Sequence, residues 1–148
     1  MAFPGTITVT SPDFASGDLI PYEFSADGGS QTPLIEVSGV PSEAVELALI
    51  SHDPDAPLPF GFTHWTIFGI APDATTITAA SGRQGVTSTG RPGYYGPQPP
   101  VGHGDHHYYF WVYALARPVE GEPTRDEFLT QYADAILEQN RLVGRYSR

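Results

Sequence analysis

The chain has 148 residues, with seven arginines, no lysine, seventeen carboxylates and no cysteine, for a formal charge of −10. That length suits one domain with a real core, and the missing cysteines exclude disulfides and thiolate metal sites. An acidic chain without lysine is also a poor partner for nucleic acid, where affinity rests on neutralising phosphates. No apolar run approaches the roughly 20 residues of a membrane span, so stable membrane insertion is not expected. Residues 1–5 lack a basic stretch followed by an apolar one, which reads as no secretory signal and a cytoplasmic protein. The charge is uneven: residues 1–73 hold ten carboxylates and no arginine, whereas between 74 and 109 Asp105 alone faces Arg83 and Arg91. The bland reading is a solvated acidic surface. The sharper one is that an anion is repelled least by the middle of the chain.

Taken in chain order, residues 7–10, 19–24 and 45–51 read as strands, β-rich between turn residues. The stretch 64–70 is another, with His64, Thr66, Phe68 and Ile70 on one face and Trp65 and Ile67 on the other. Residues 75–78 suggest a short strand, and 80–104 form a long Gly/Pro/Ser loop of the kind that usually has a function. From 106 to 116 both faces are apolar or aromatic, which predicts a central strand. Thr124 and Glu127 stand in the capping-box relation, and Phe128, Tyr132 and Ile136 continue an apolar stripe over about four turns of helix. A weak last strand spans 142–146. Many strands, Pro-rich turns and one late helix predict a mostly β protein, a sandwich or barrel with a C-terminal helix.

The polar residues gather at strand ends. Asp53 and Asp55 are two apart and point the same way in extended chain. An Asx-turn is the favoured reading for Asp55, and a pocket position for Asp53. His64 leads its strand. His106 and Tyr108 share a face while His107 faces away, and His103 lies between glycines, exposed. A His–Tyr pair beside the loop 96–104 supplies donors, and backbone N–H groups of the loop add to a cradle for phosphate or carboxylate. Histidines that titrate near pH ~6.5 predict anion affinity that rises as pH falls.

These residues, in this order, resemble the phosphatidylethanolamine-binding protein family, also called Raf kinase inhibitor-like proteins. The first family motif stands as Asp53-Pro54-Asp55-Ala56-Pro57, followed by His64-Trp65. The second stands as Gly96-Pro97-Gln98-Pro99-Pro100, then Gly102 and His106-His107-Tyr108. The resemblance extends over nearly the whole chain and implies a single domain over 1–148, a β-sandwich of that family's type. It also implies a small anion pocket, without cofactor, built from Asp53, Asp55, His64, Gln98, Pro99, Pro100, His106 and Tyr108. Four positions depart from the family pattern. His107 replaces a usual Arg, removing any ion pair that Arg makes, and Gln98 replaces Gly or Cys at the pocket mouth. Val37 replaces Trp and Gly69 replaces Asn.

The expected function is a non-enzymatic binding module for a small anion or phosphorylated head-group. The family's kinase inhibitors add a protein partner such as a kinase to that expectation. The alternative is a metal-dependent hydrolase, with Asp53, His64 and His106 as ligands around an open position.

Overall fold

The structure is a computed structural model that describes residues 5–148; the signal reading rests mainly on residues 1–4, outside them. Among the described residues, eight strands form two antiparallel sheets. The smaller sheet places β1 (Thr8–Thr10), β2 (Ile35–Ser38) and β5 (Thr76–Ile77) side by side. The larger sheet runs from β6 (Arg83–Gln84) through β4 (Phe62–Ile70), β3 (Glu46–Asp53) and β7 (His106–Leu115) to β8 (Ile136–Tyr146). Val9, Ile35, Val37 and Ile77 of the first sheet meet Leu47, Leu49, Trp65, Ile67, Phe110 and Val112 of the second in one buried cluster. Two inner faces that interdigitate in this way make the expected sandwich.

A second cluster lies on the outer face of the larger sheet, where helix α1 (Arg125–Gln131) lays Phe128 against Phe68 and Tyr113. The capping box forms as predicted: Glu127 N–H donates to Thr124 Oγ1 at 3.2 Å, and Thr124 N–H to Glu127 Oε1 at 2.9 Å. The helix is nevertheless only seven residues long. Its apolar stripe continues into a single turn, 133–135, and then into β8, eleven residues long where a short strand was expected. Pairing with β7 along its full length satisfies more backbone than further helical turns would, so tertiary context overrides the local period.

Two other elements differ from expectation. Residues 19–24 form a single parallel bridge, Leu19 to Arg145, and then a short 3-10 turn at Tyr22–Phe24. Pro21 removes the N–H that a strand would need there. The strand β7 is paired on both flanks, but its outer face is only partly covered: Tyr113 and Leu115 are buried, whereas Tyr109 and Trp111 are half-buried beneath the Arg141 guanidinium.

The flanks of the larger sheet are occupied by irregular chain. Gly17 and Ile20 donate to the Val143 and Arg145 carbonyls of β8, and Arg145 donates to the Asp18 carbonyl. Beside β4, Gly85, Ser88 and Tyr95 donate to Thr66, Thr63 and His64.

Candidate functional site

Strand β3 ends at Asp53, β4 opens near His64 and β7 opens at His106. Because these three strands are neighbours, their polar ends meet at one rim of the sandwich. The loop after Tyr95 closes over them and leaves a cavity of about 430 Å³. Asp53, His64, Gln98, Pro99, Pro100, His106 and Tyr108 all line it. Asp55 does not.

The reason lies in Asp53. Its Oδ1 accepts the Asp55 N–H at 2.7 Å, so Asp53 itself makes the Asx-type bond that turns the chain and ends the alternation. Asp55 is carried outward, where its carboxylate accepts both the backbone N–H and the Nδ1–H of His107, each at 2.8 Å. The position expected to lack the ion pair of an Arg thus still holds this carboxylate, through the hydrogen bonds of a histidine. Partial burial alone would raise the Asp55 carboxyl, but the bonds and charge of His107 hold it below its usual value.

His64 reaches the cavity by a route the alternation pattern cannot show. Ser51 pairs with Trp65 and His52 with Thr63, so β4 carries one extra residue there, a β-bulge at His64. A bulge turns a side chain out of the regular alternation. His64 therefore joins Tyr108, its ring edge-on at 5.2 Å, instead of facing away with Thr66 and Phe68. A second shift, between the Leu47 and Leu49 pairings, falls at Gly69, whose φ of +76° suits glycine. It moves Ile70 into the inter-sheet cluster with Ile67.

The interior bonds are specific. His106 Nδ1–H donates to Asp53 Oδ2 at 2.7 Å, with both side chains buried. Its Nε2 meets His103 Nδ1 at 2.6 Å, so the exposed loop histidine is a partner of the site. His64 Nδ1–H donates to the Tyr95 carbonyl at 2.5 Å. Burial pushes the His64 imidazolium down to about 4, outweighing the Tyr95 bond and the charge of Asp53, which both raise it. Burial also pushes the Tyr108 phenol up, and the neighbouring Asp53 carboxylate pushes it further. His64 thus stays neutral over the range in which histidine was expected to gain charge. Tyr95, Phe62 and His103 were not foreseen; the one signal for Tyr95 is its place just before the Gly-Pro motif.

The loop is held from outside. Ala26 N–H donates to the Pro97 carbonyl at 3.0 Å, Gly96 N–H to Ser30 Oγ at 2.9 Å, and Arg148 Nε–H to the Pro99 carbonyl at 2.7 Å. Gln98 takes the Tyr95 hydroxyl on its carbonyl oxygen and turns its amide to Asp27 at 3.5 Å. A Cβ on Gly96 would lie 2.3 Å from the Phe24 carbonyl oxygen and 2.5 Å from the Ser25 carbonyl carbon, both backbone. Gly96→Ala should therefore shift the loop off this anchor, at about 2–3 kcal/mol of stability. Chemical denaturation reads the loss, and a variant as stable as the parent would show that the loop gives way freely.

The resemblance carried by the two motifs is matched by comparison with known proteins. The family model for phosphatidylethanolamine-binding protein matches residues 10–147. A UPF0098 protein of Methanothermobacter thermautotrophicus is 39% identical over 140 residues, covering 87% of this chain and 91% of its own. A Mycobacterium tuberculosis protein named as a lipoprotein, LppC, is 40% identical over 146 residues, covering 95% of this chain and 72% of its own. Among solved structures, the family homologue CT736 of Chlamydia trachomatis superposes with a TM-score of 0.89 at 29% identity, over 97% of this chain and 99% of its own. YbcL of Escherichia coli, described as a member of the mammalian family, gives 0.89 at 25% identity with the same coverage. With its motifs, its sandwich and its relatives in agreement from one end to the other, the chain belongs to the phosphatidylethanolamine-binding protein family.

Proposed function

We propose that the cavity takes a small oxyanion, either free phosphate or carboxylate or the phosphorylated head-group of a lipid, and binds it without turnover. The observation that carries this reading is the convergence of the buried Asp53–His106 pair, His64 and Tyr108 on one cavity under the Gly/Pro loop. The family's own description, a phosphatidylethanolamine-binding protein, supports the phosphorylated head-group. Asp55 serves as a brace for His107 in this proposal, and Gln98, Pro99 and Pro100 form the mouth. No helix among the described residues is long and apolar enough to cross a membrane, so a lipid head-group would be met at a surface. A cytoplasmic location remains part of the proposal, with cell fractionation as its check, because the relative LppC bears a lipoprotein name. A kinase or other protein partner docking over the occupied mouth would be sought by co-precipitation with and without phosphate.

The hydrolase alternative fits these residues poorly. Both ring nitrogens of His106 and one of His64 are engaged within the protein, which leaves the proposed ligand set a single uncommitted ring nitrogen.

Titration calorimetry of chelator-treated protein with inorganic phosphate and phosphoethanolamine tests the binding reading. Saturable binding is expected, and His64→Ala should weaken it by about tenfold or more, the worth of one hydrogen bond to a charged group. Unchanged affinity in that variant would remove His64 from the site. Phosphoester hydrolysis that co-purifies with the protein and vanishes in both Asp53→Asn and His106→Ala would replace the binding module with an enzyme.

A further inference from the structure

Both histidines of the cavity have already spent a donor within the protein. His64 spends its Nδ1–H on the Tyr95 carbonyl, and His106 spends its Nδ1–H on Asp53 while Nε2 meets His103. The Tyr108 hydroxyl lies beside the Asp53 carboxylate; burial and that charge push the phenol up. Pro99 and Pro100 have no N–H to give. Of the lining side chains named as site residues, Tyr108 keeps its O–H and Gln98 an amide N–H held by nothing stronger than its 3.5 Å contact to Asp27. Against these donors stand two acceptors that face the cavity: the remaining lone pairs of Asp53 and the Nε2 of His64. That nitrogen has no hydrogen-bond partner among the described residues, and the Tyr95 bond fixes the tautomer in which it carries a lone pair.

We propose that the site selects oxyanions that carry a proton, with the ligand's own O–H donating to His64 Nε2. This rests on the oxyanion reading above and adds the ionisation state that is bound: a phosphate or phosphomonoester as its monoanion, in preference to the dianion and to anions without a proton. An unprotonated oxyanion would press lone pairs against lone pairs beside the Asp53 carboxylate. A site built around one hydrogen bond discriminates strongly against an analogue that lacks the matching group. The groups facing His64 are Asp53 from β3, His106 and Tyr108 from β7, and Tyr95 from the loop, with His52 behind. Burial keeps the ring neutral against the pull of Asp53, down to about pH 4. The protein therefore does not supply the proton at neutral pH. The ligand does.

The test uses the intact wild-type chain and three probes, inorganic phosphate, methyl phosphate and sulfate, at constant ionic strength. Sulfate has no proton in the working range and should bind at least about tenfold more weakly than phosphate near pH ~6. Methyl phosphate loses its second proton near pH ~6, so its affinity should fall above that value. Inorganic phosphate holds that proton to higher pH, and its fall should be displaced to match. Displaced profiles support the inference, because a titrating protein group would move both ligands together. Coincident profiles, or sulfate binding as tightly as phosphate, would overturn it and leave the anion pocket standing. Failure of all three probes to bind would overturn the pocket as well. In His64→Gln, whose side-chain amide donates, the preference for phosphate over sulfate should collapse towards parity, and a preference that survives would assign it to another residue.

Discussion

Asp53→Ala should cost on the order of 3–5 kcal/mol of stability and abolish ligand binding, because it strips the acceptor from donors buried around it. The carboxylate is 2% exposed and accepts from the Asp55 N–H and the His106 ring, with the Tyr108 phenol beside it. Alanine leaves both donors buried or half-buried without an acceptor, each at about 1–3 kcal/mol before relaxation. Asp53→Asn is the informative companion. It keeps one carbonyl oxygen for the turn but presents an NH₂ to His106, which can accept only by shifting its proton to the nitrogen that meets His103. Urea denaturation should place Asn between the parent and Ala. If Ala unfolds at the parent midpoint, the carboxylate is not the hub described.

Acid should weaken the fold well above the range in which carboxylates titrate. Burial and then the charge of Arg125 push His52 down to about 4, against the opposing bond to Phe60 and the charge of Asp126; burial pushes His64 down to about 4 as well. In the unfolded chain both titrate near pH ~6.5. Between these values the unfolded state binds more protons, so stability rises with pH and is lost as pH falls from ~6.5 towards 4. At pH ~5 the loss is about 2 kcal/mol for each histidine, a large part of the total where domains hold only about 5–15 kcal/mol. Urea midpoints measured at pH ~7.5 and ~5 check this, and His52→Gln should recover about half of the difference. Equal midpoints would mean that both rings accept a proton in place. This acid effect belongs to the fold, and it is separate from the ligand's own titration.

The fold was legible wherever side-chain period and capping chemistry agreed. The strands now seen as Glu46–Asp53 and His106–Leu115, and the Thr124–Glu127 cap, follow directly from local pattern. The pattern failed where two periods overlap. Residues 128–137 carry a helical stripe, yet Ile136 and Leu137 belong to a strand fixed by its partner β7, a contact no local window contains. Of the candidate site, the expected site residues other than Asp55 do line one cavity. Their orientation was beyond the sequence, because it depends on a bulge that turns His64 inward and on a side-chain bond that turns Asp55 outward. Proline at positions 97, 99 and 100 also limits how many N–H groups the loop can contribute to the cradle.

The segments lying along the flanks of the larger sheet bear on how copies of this chain coexist. A bare strand edge is a template for a strand of another molecule, and natural sheets protect such edges. Here residues 17–20 fill hydrogen-bonding positions on β8, and residues 85–95 do the same beside β4, in conformations too irregular to pass the pattern on to a neighbour. Release of 17–20 would withdraw Ile20 from the edge of the core and bare several residues of an eleven-residue strand. Self-association would then begin from a nearly native molecule by strand addition, with no need for global unfolding, and the integrity of one early segment would govern colloidal behaviour.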